Sequence, residues 1–226
     1  MELAKGDFVE LEFTGKIVDS EEIFDTTNKD VAKKANLDTK NLSSFKLSVG
    51  NEMLPKGFDS DIVGKEIGKE YIINLTPENA FGKRDPKLVR MIPTKHFTEQ
   101  NIEPARGMQL DLDGQLTRVL SSSGGRTLVD FNNPLAGKKI EYTYTILKKI
   151  EEQKEKIDAL QKFFFRNIFP FETSEKKVTF KVPEKFQGFV GMFAQKFKDI
   201  LDLEIEAKIE EKSEDKKGKE KTREQP

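Results

Sequence analysis

The sequence predicts an α+β fold: an antiparallel sheet packed on a short helix, a small mainly-β domain inserted into it, and a separate C-terminal α/β module. Three observations lead there. Short runs of alternating apolar and polar residues, the pattern of half-buried strands, recur at both ends of the first 150 residues. The strand that should close this sheet arrives about sixty residues late, after a stretch with strand and turn signals of its own. Beyond Ile150 the texture changes, because ten of the chain's eighteen phenylalanines lie there. A chain of 226 residues has room for one large domain or two to three small ones.

The elements follow in order. GDFVELEF, from Gly6 to Phe13, puts Val9, Leu11 and Phe13 on one face and Glu10 and Glu12 on the other, and a second strand is expected over Thr14 to Val18. A polar, helix-tolerant stretch follows Phe24 to Thr27, and FKLSV (Phe45 to Val49) reads as a short strand. Gly57 to Val63 reads as a short helix, with Phe58, Ile62 and Val63 at i, i+4 and i+5 and Gly64 at its end. Glu70 to Leu75 is another strand. Its partner is KIEYTYTIL (Lys139 to Leu147), where Ile140, Tyr142, Tyr144 and Ile146 alternate with polar residues.

A structureless loop of this length is improbable inside a compact domain, so residues 83–132 are expected to fold as a guest. MQLDLDGQLTRVL carries Asp113-Gly114 between two alternating runs, a strong hairpin signal, and SSSGGRTLVDF supplies a second turn and strand. Residues 150–210 form the C-terminal module. EEQKEKIDALQKFFFRNIF is an amphipathic helix with Ile157, Leu160 and Phe164 on one stripe, and KKVTFKV is a strand. EKFQGFVGMFAQKFKDI places Phe186, Phe189, Val190, Phe193 and Phe197 at helical spacing, and LEIEAKI alternates Leu203, Ile205, Ala207 and Ile209. Phe163, Phe164 and Phe165 cannot all face one core if they are helical, which together with the small size of the module predicts a homodimer through it. Docking of the module against the first domain is the competing expectation. Residues 211–226 are rich in charge and poor in apolar residues, the composition of a disordered tail.

Composition excludes several chemistries. Thirty-nine basic residues balance forty acidic ones to a net charge of -1, so no overall field selects nucleic acid or an anionic membrane. Without cysteine there are no disulfides and no thiolate sites, and His96 is the lone histidine, so neither metal nor cofactor is expected. The opening MELAKGDFVEL has no signal-peptide pattern and no apolar run spans a bilayer, which predicts a soluble cytoplasmic protein.

The segments LEFTG, IFDTT, FKLSVG, LPKGF, TPENAFG and NPLAGKKIEYTYTILKK occur in that order, and this ordered set resembles the FKBP family of peptidyl-prolyl isomerases over Lys5 to Lys83 and Asn133 to Lys149. The interruption falls where SlyD-type members carry an insert-in-flap chaperone domain, and the layout resembles the long archaeal FKBP-type isomerases. The resemblance implies domain limits of 1–82 plus 133–149 for the isomerase and 83–132 for the insert. Carried over position by position, it implies a pocket walled by Phe13, Phe24, Phe45, Leu54, Pro55, Phe58, Phe81 and Tyr142, with Asp25 as its one charged group. Taken singly, each of these is as well explained as a core residue at strand spacing. Phe13 and Phe81 stand where many members have tyrosine, and Pro55 stands where a backbone N–H often anchors the substrate, which proline lacks.

The implied activity is rotation of X-Pro bonds in unfolded or nascent chains. A holdase with a passive pocket and an assembly factor for one partner are the alternatives that the residues leave open. Within the insert, Met91, Ile92, Met108 and Leu110 are the candidates for a client-binding surface, since methionine adapts to varied partners, though core packing explains them as well.

Overall fold

The computed structural model describes residues 2–40 and 42–210, so the charged tail expected over residues 211–226 lies outside the described residues. The chain divides into two compact units, Met1–Glu152 and a second beginning at Gln153.

The first unit opens with β1 (Phe8–Ile17), β2 (Ile23–Thr26), α1 (Lys29–Lys34), β3 (Phe45–Ser48), α2 (Lys56–Ile62) and β4 (Glu70–Leu75). Single-turn 3₁₀ segments at Pro77–Asn79 and Pro86–Leu88 lead into β5 (Val89–Pro93), α3 (Lys95–Thr98), β6 (Gln109–Leu112), β7 (Gln115–Ser123) and β8 (Arg126–Asp130), and β9 (Ile140–Lys149) returns. One antiparallel sheet has the order β2-β1-β9-β4, with β3 paired to β1; a second has the order β5-β8-β7-β6. The mixed α+β class expected from the alternating runs is therefore the class observed.

Two local expectations are corrected. The two strands expected over Gly6 to Phe13 and Thr14 to Val18 are a single ten-residue strand. Second, Ile23–Thr26 is a strand that period-2 reading could not detect, because it has only four residues and a bulge leaves three of them paired.

The core of the first sheet is set by alternation. Val9, Leu11, Phe13 and Ile17 of β1 and Ile140, Tyr142, Tyr144 and Ile146 of β9 are buried, and α2 contributes Phe58 and Ile62, both fully enclosed. In the second sheet Val119, Val129, Thr117 and Thr127 are buried with Phe97 of α3. Its hairpins turn through Asp113-Gly114 and Gly124-Gly125, and all four residues have positive φ, the geometry of two-residue turns matched to strand twist. The two ends of this inserted stretch are clasped. The Asn132 side chain accepts from the Asp85 N–H at 2.8 Å and donates to the Asp85 carbonyl at 3.0 Å, and the Gly137 N–H donates to the Gly82 carbonyl at 2.8 Å.

The second unit contains α4 (Gln153–Phe164), β10 (Phe171–Ser174), β11 (Lys177–Val182), α5 (Gln187–Gly191), α6 (Ala194–Leu201) and β12 (Glu204–Ile209). β10 runs antiparallel to β11, and β12 runs parallel to it after the helical crossover. The continuous helix suggested by the phenylalanine spacing is broken into a 3₁₀ turn and two helices. Phe165 follows the last residue of α4, its N–H still donating to the Gln161 carbonyl at 2.7 Å, and it continues the buried stripe of Ile157 and Gln161 into the core, where it contacts Phe169, Phe180, Phe189, Phe193 and Phe197. Gln161, fully buried, is kept satisfied by accepting the Phe169 N–H at 2.9 Å and donating to Asp158. Among the described residues no helix is long and apolar enough to cross a membrane, and no group of three or more His, Cys, Asp or Glu is placed to hold a metal ion.

Candidate active site

Six rings converge on one side of the first sheet. Phe13 of β1 meets Phe45 of β3 at 6.2 Å, Phe58 of α2 at 6.3 Å and Tyr142 of β9 at 5.8 Å between centroids. Tyr142 also packs on Phe58 at 4.6 Å and on Phe24 of β2 at 5.8 Å, and Phe24 continues to Phe81 at 5.8 Å. Most of these contacts are edge-to-face, the arrangement the ring quadrupole favours. Phe13, Phe58 and Tyr142 are buried, while Phe24, Phe45 and Phe81 are half-buried and form the rim.

The strand register delivers the polar group. Gly15 pairs with Asp25 on one side and Tyr142 on the other, so Asp25, Gly15 and Tyr142 lie in a row across β2, β1 and β9. The register then slips, pairing Lys16 with Ile23 and leaving Phe24 as the extra residue of a bulge. Such bulges re-aim side chains beside active sites, and here the bulged ring is the one that joins Phe81 to Tyr142. Gly15 makes room for it: a Cβ at this position would stand 2.7 Å from ring atoms of both Phe24 and Tyr142. A glycine inside a strand pattern signals such an approach, which is how sequence reasoning could have found Gly15.

Asp25 reaches solvent at the mouth, yet the rings around it withhold enough water to push its carboxyl pKa above the ordinary value, against a backbone hydrogen bond from Thr26. Burial, and then the Asp25 charge, push the Tyr142 phenol up as well, so it stays a neutral donor. Asn28 caps α1, its side chain accepting the Asp30 and Val31 N–H groups.

Leu54 and Pro55 are half-buried in the segment that enters α2. Pro55 immediately precedes the helix with φ -51° and ψ 140°, so this position presents a carbonyl, used by the Asp59 N–H at 2.9 Å, and no donor. Asp59, which sequence reasoning overlooked, is buried and accepts the Gly50 and Glu52 N–H groups at 2.8 and 2.9 Å, pinning this segment beneath the rings. In the insert, Met91 is 60% exposed and Met108 is also exposed. Ile92 and Leu110 are half-buried and pair with the buried Thr127 and Thr117, so they share the covered face. Leu116, not singled out from the sequence, is half exposed.

An apolar-walled site with the Asp25 carboxylate at its mouth and, among the described residues, no nucleophile-base pair beside it suits a reaction in which no covalent bond changes. Comparison with known proteins agrees. The family profile described as FKBP-type peptidyl-prolyl cis-trans isomerase matches residues 1–103, and one described as FKBP26, IF domain, matches residues 90–135. The short-type peptidyl-prolyl cis-trans isomerase of Methanocaldococcus jannaschii is 30% identical over 150 residues, covering 64% of this chain and 92% of that protein. A probable FKBP-type 16 kDa isomerase of Pseudomonas fluorescens is 32% identical over 110 residues, covering 46% of this chain and 71% of that protein. The SlyD isomerase of Treponema pallidum is 23% identical over 169 residues, covering 71% of this chain and 85% of that protein.

Two outcomes test this geometry. Gly15→Ala should part the Phe24 and Tyr142 rings, lowering kcat/KM on an X-Pro peptide by about tenfold and stability by ~1–3 kcal/mol, as overpacking does; peptide kinetics and urea melts read both. Asp25→Asn should raise the Tm at pH 7 by only ~1–2 °C, because solvent screens the carboxyl. A carboxyl whose folded pKa is raised stabilises the fold only at low pH and loses that contribution as pH rises through the folded value. The gap between parent and variant should therefore close as pH falls below about 4.

Proposed function

The chain belongs to the FKBP-type peptidyl-prolyl cis-trans isomerases, and we propose that Phe13, Phe24, Asp25, Phe45, Leu54, Pro55, Phe58, Phe81 and Tyr142 form the pocket in which it rotates X-Pro bonds. The observation that carries the assignment is the continuous ring contact from Phe81 through Phe24 and Tyr142 to Phe58, Phe13 and Phe45. A planar amide owes its barrier of ~18–20 kcal/mol to resonance that separates charge, and the twisted transition state loses that resonance. It is less polar than the ground state. Dry aromatic walls stabilise it relative to the planar amide, and each ~1.36 kcal/mol of that difference speeds rotation about tenfold. Asp25 orients the prolyl region by hydrogen bonding and transfers no proton. With Pro55 lacking an N–H and Phe81 a hydroxyl, apolar burial carries more of the binding than polar anchoring does.

The insert, residues 83–132, acts as a second and weaker client site, with the exposed Met91, Met108 and Leu116 as its adaptable apolar surface. Tethering it beside the pocket raises the local concentration of client chain. The C-terminal unit makes the protein a homodimer. In support, Phe163 and Phe164 are only half-buried, Ile168 is 55% and Met192 76% exposed, and β10 and β12 are both edge strands. Clients are unfolded or nascent polypeptides containing X-Pro, met in the cytoplasm.

Isomerisation of a proline tetrapeptide tests the first reading. Replacing residues 83–132 by a short turn should leave that rate within ~3-fold while reducing acceleration of protein refolding by ~10-fold or more; equal loss of both would mean that the insert builds the pocket. Ile150 is buried and its N–H donates to the Phe8 carbonyl, so a truncation should end at Glu152. Light scattering should find a dimeric full chain and a monomeric truncation, and a monomeric full chain at tens of micromolar ends the dimer reading.

A further inference from the structure

A cleft of about 670 Å³ shares Phe24 with the ring cluster and is lined besides by the β1–β2 hairpin, by β6 and β7, and by the stretch from Asp130 to Lys138. Its volume falls within the ~300–1,000 Å³ of ligand-holding sites. Five charged side chains line it: Glu22, Arg84, Arg118, Asp130 and Lys138. Arg84 and Asp130 satisfy each other through a 2.5 Å ion pair. Burial alone would raise the Asp130 pKa, but hydrogen bonds from Asn132 and the Arg84 charge outweigh it and keep the carboxylate ionised. Arg118 is the direct cross-strand neighbour of Asp130, yet that carboxylate is already taken. Among the described residues neither Arg118 nor Lys138 has an ion-pair partner, and only the exposed Glu22 opposes them. The cleft therefore holds an uncompensated positive charge in a chain whose overall charge is -1.

Resting on the prolyl pocket described above, we propose that this cleft takes the segment of client chain flanking the bound proline, and that Arg118 and Lys138 select clients with an acidic side chain in that segment. The path suits an extended peptide. β2 is an edge strand bonded only to β1, which leaves a backbone edge along which a chain can lie. Leu116 and Leu120 supply apolar contact on the opposite wall. Lys138 is half-buried and Arg118 exposed, so their attraction for a carboxylate acts across partly solvated space and weakens with salt.

The test uses the full-length protein and unstructured peptides with one proline, in which Glu or Gln is placed two to six residues before or after it. At low ionic strength at least one Glu position should raise kcat/KM by about 3- to 10-fold over its Gln counterpart, mainly through KM, and the gain should shrink in 0.5 M salt. Combined Arg118→Gln and Lys138→Gln should bring the Glu/Gln ratio close to one, while Arg118→Lys with Lys138→Arg should restore it. The inference is overturned if no position discriminates Glu from Gln, or if the preference survives in the double glutamine variant. Absence of turnover with every peptide, Gln peptides included, would overturn the prolyl pocket and this inference together.

Discussion

The pairing of β9 between β1 and β4 is the constraint on which the first unit depends. β9 is an inner strand of its sheet, yet it is separated from β4 by the whole inserted stretch. Without it, β1 and β4 have no common neighbour, and Tyr142, which joins Phe24 to Phe13 and Phe58, is not delivered to the pocket. The insert can be tolerated only if it leaves and re-enters at nearly the same place. The Asn132–Asp85 hydrogen bonds, the Gly137–Gly82 bond and the Arg84–Asp130 pair meet that condition with polar contacts at the neck.

Around that strand the site is built from backbone irregularities as much as from side chains. A bulge turns Phe24 inward, a glycine lets two rings approach the strand, and a buried carboxylate ties the chain ahead of α2 to two backbone donors. Each device fixes ring positions without adding polarity to the walls. That suits a reaction whose transition state differs from its ground state mainly by a loss of charge separation. Pro55 offers no N–H and Phe81 no hydroxyl, so neither position adds a polar donor to the walls.

The second unit solves a different problem. Its ten phenylalanines form a connected set of ring contacts, with Phe165 and Phe197 among the buried members. Phe165 lies four residues after the buried Gln161 and eight after the buried Ile157, so helical spacing itself carries its ring into the core while Phe163 and Phe164 stay half-buried. The half-buried Phe163, beside the Arg166 guanidinium at 5.6 Å, shows how a ring left near the surface is still partly covered.

The sequence by itself determined the mixed α+β class, the late return strand and the two hairpin turns. Those features are written in local patterns: alternation along Ile140 to Ile146 and Asp113-Gly114 between apolar runs. Only the tertiary structure decided that β1 is continuous, that Phe24 occupies a bulge, that Gly15 stands between Asp25 and Tyr142, that Asp59 pins the entry to α2, and that Ile92 and Leu110 lie on the covered face of the insert while Leu116 does not. Strand register and cross-strand neighbours are set by contacts between residues dozens of positions apart. A one-residue slip, which local composition does not record, moves a side chain to the opposite face of the sheet.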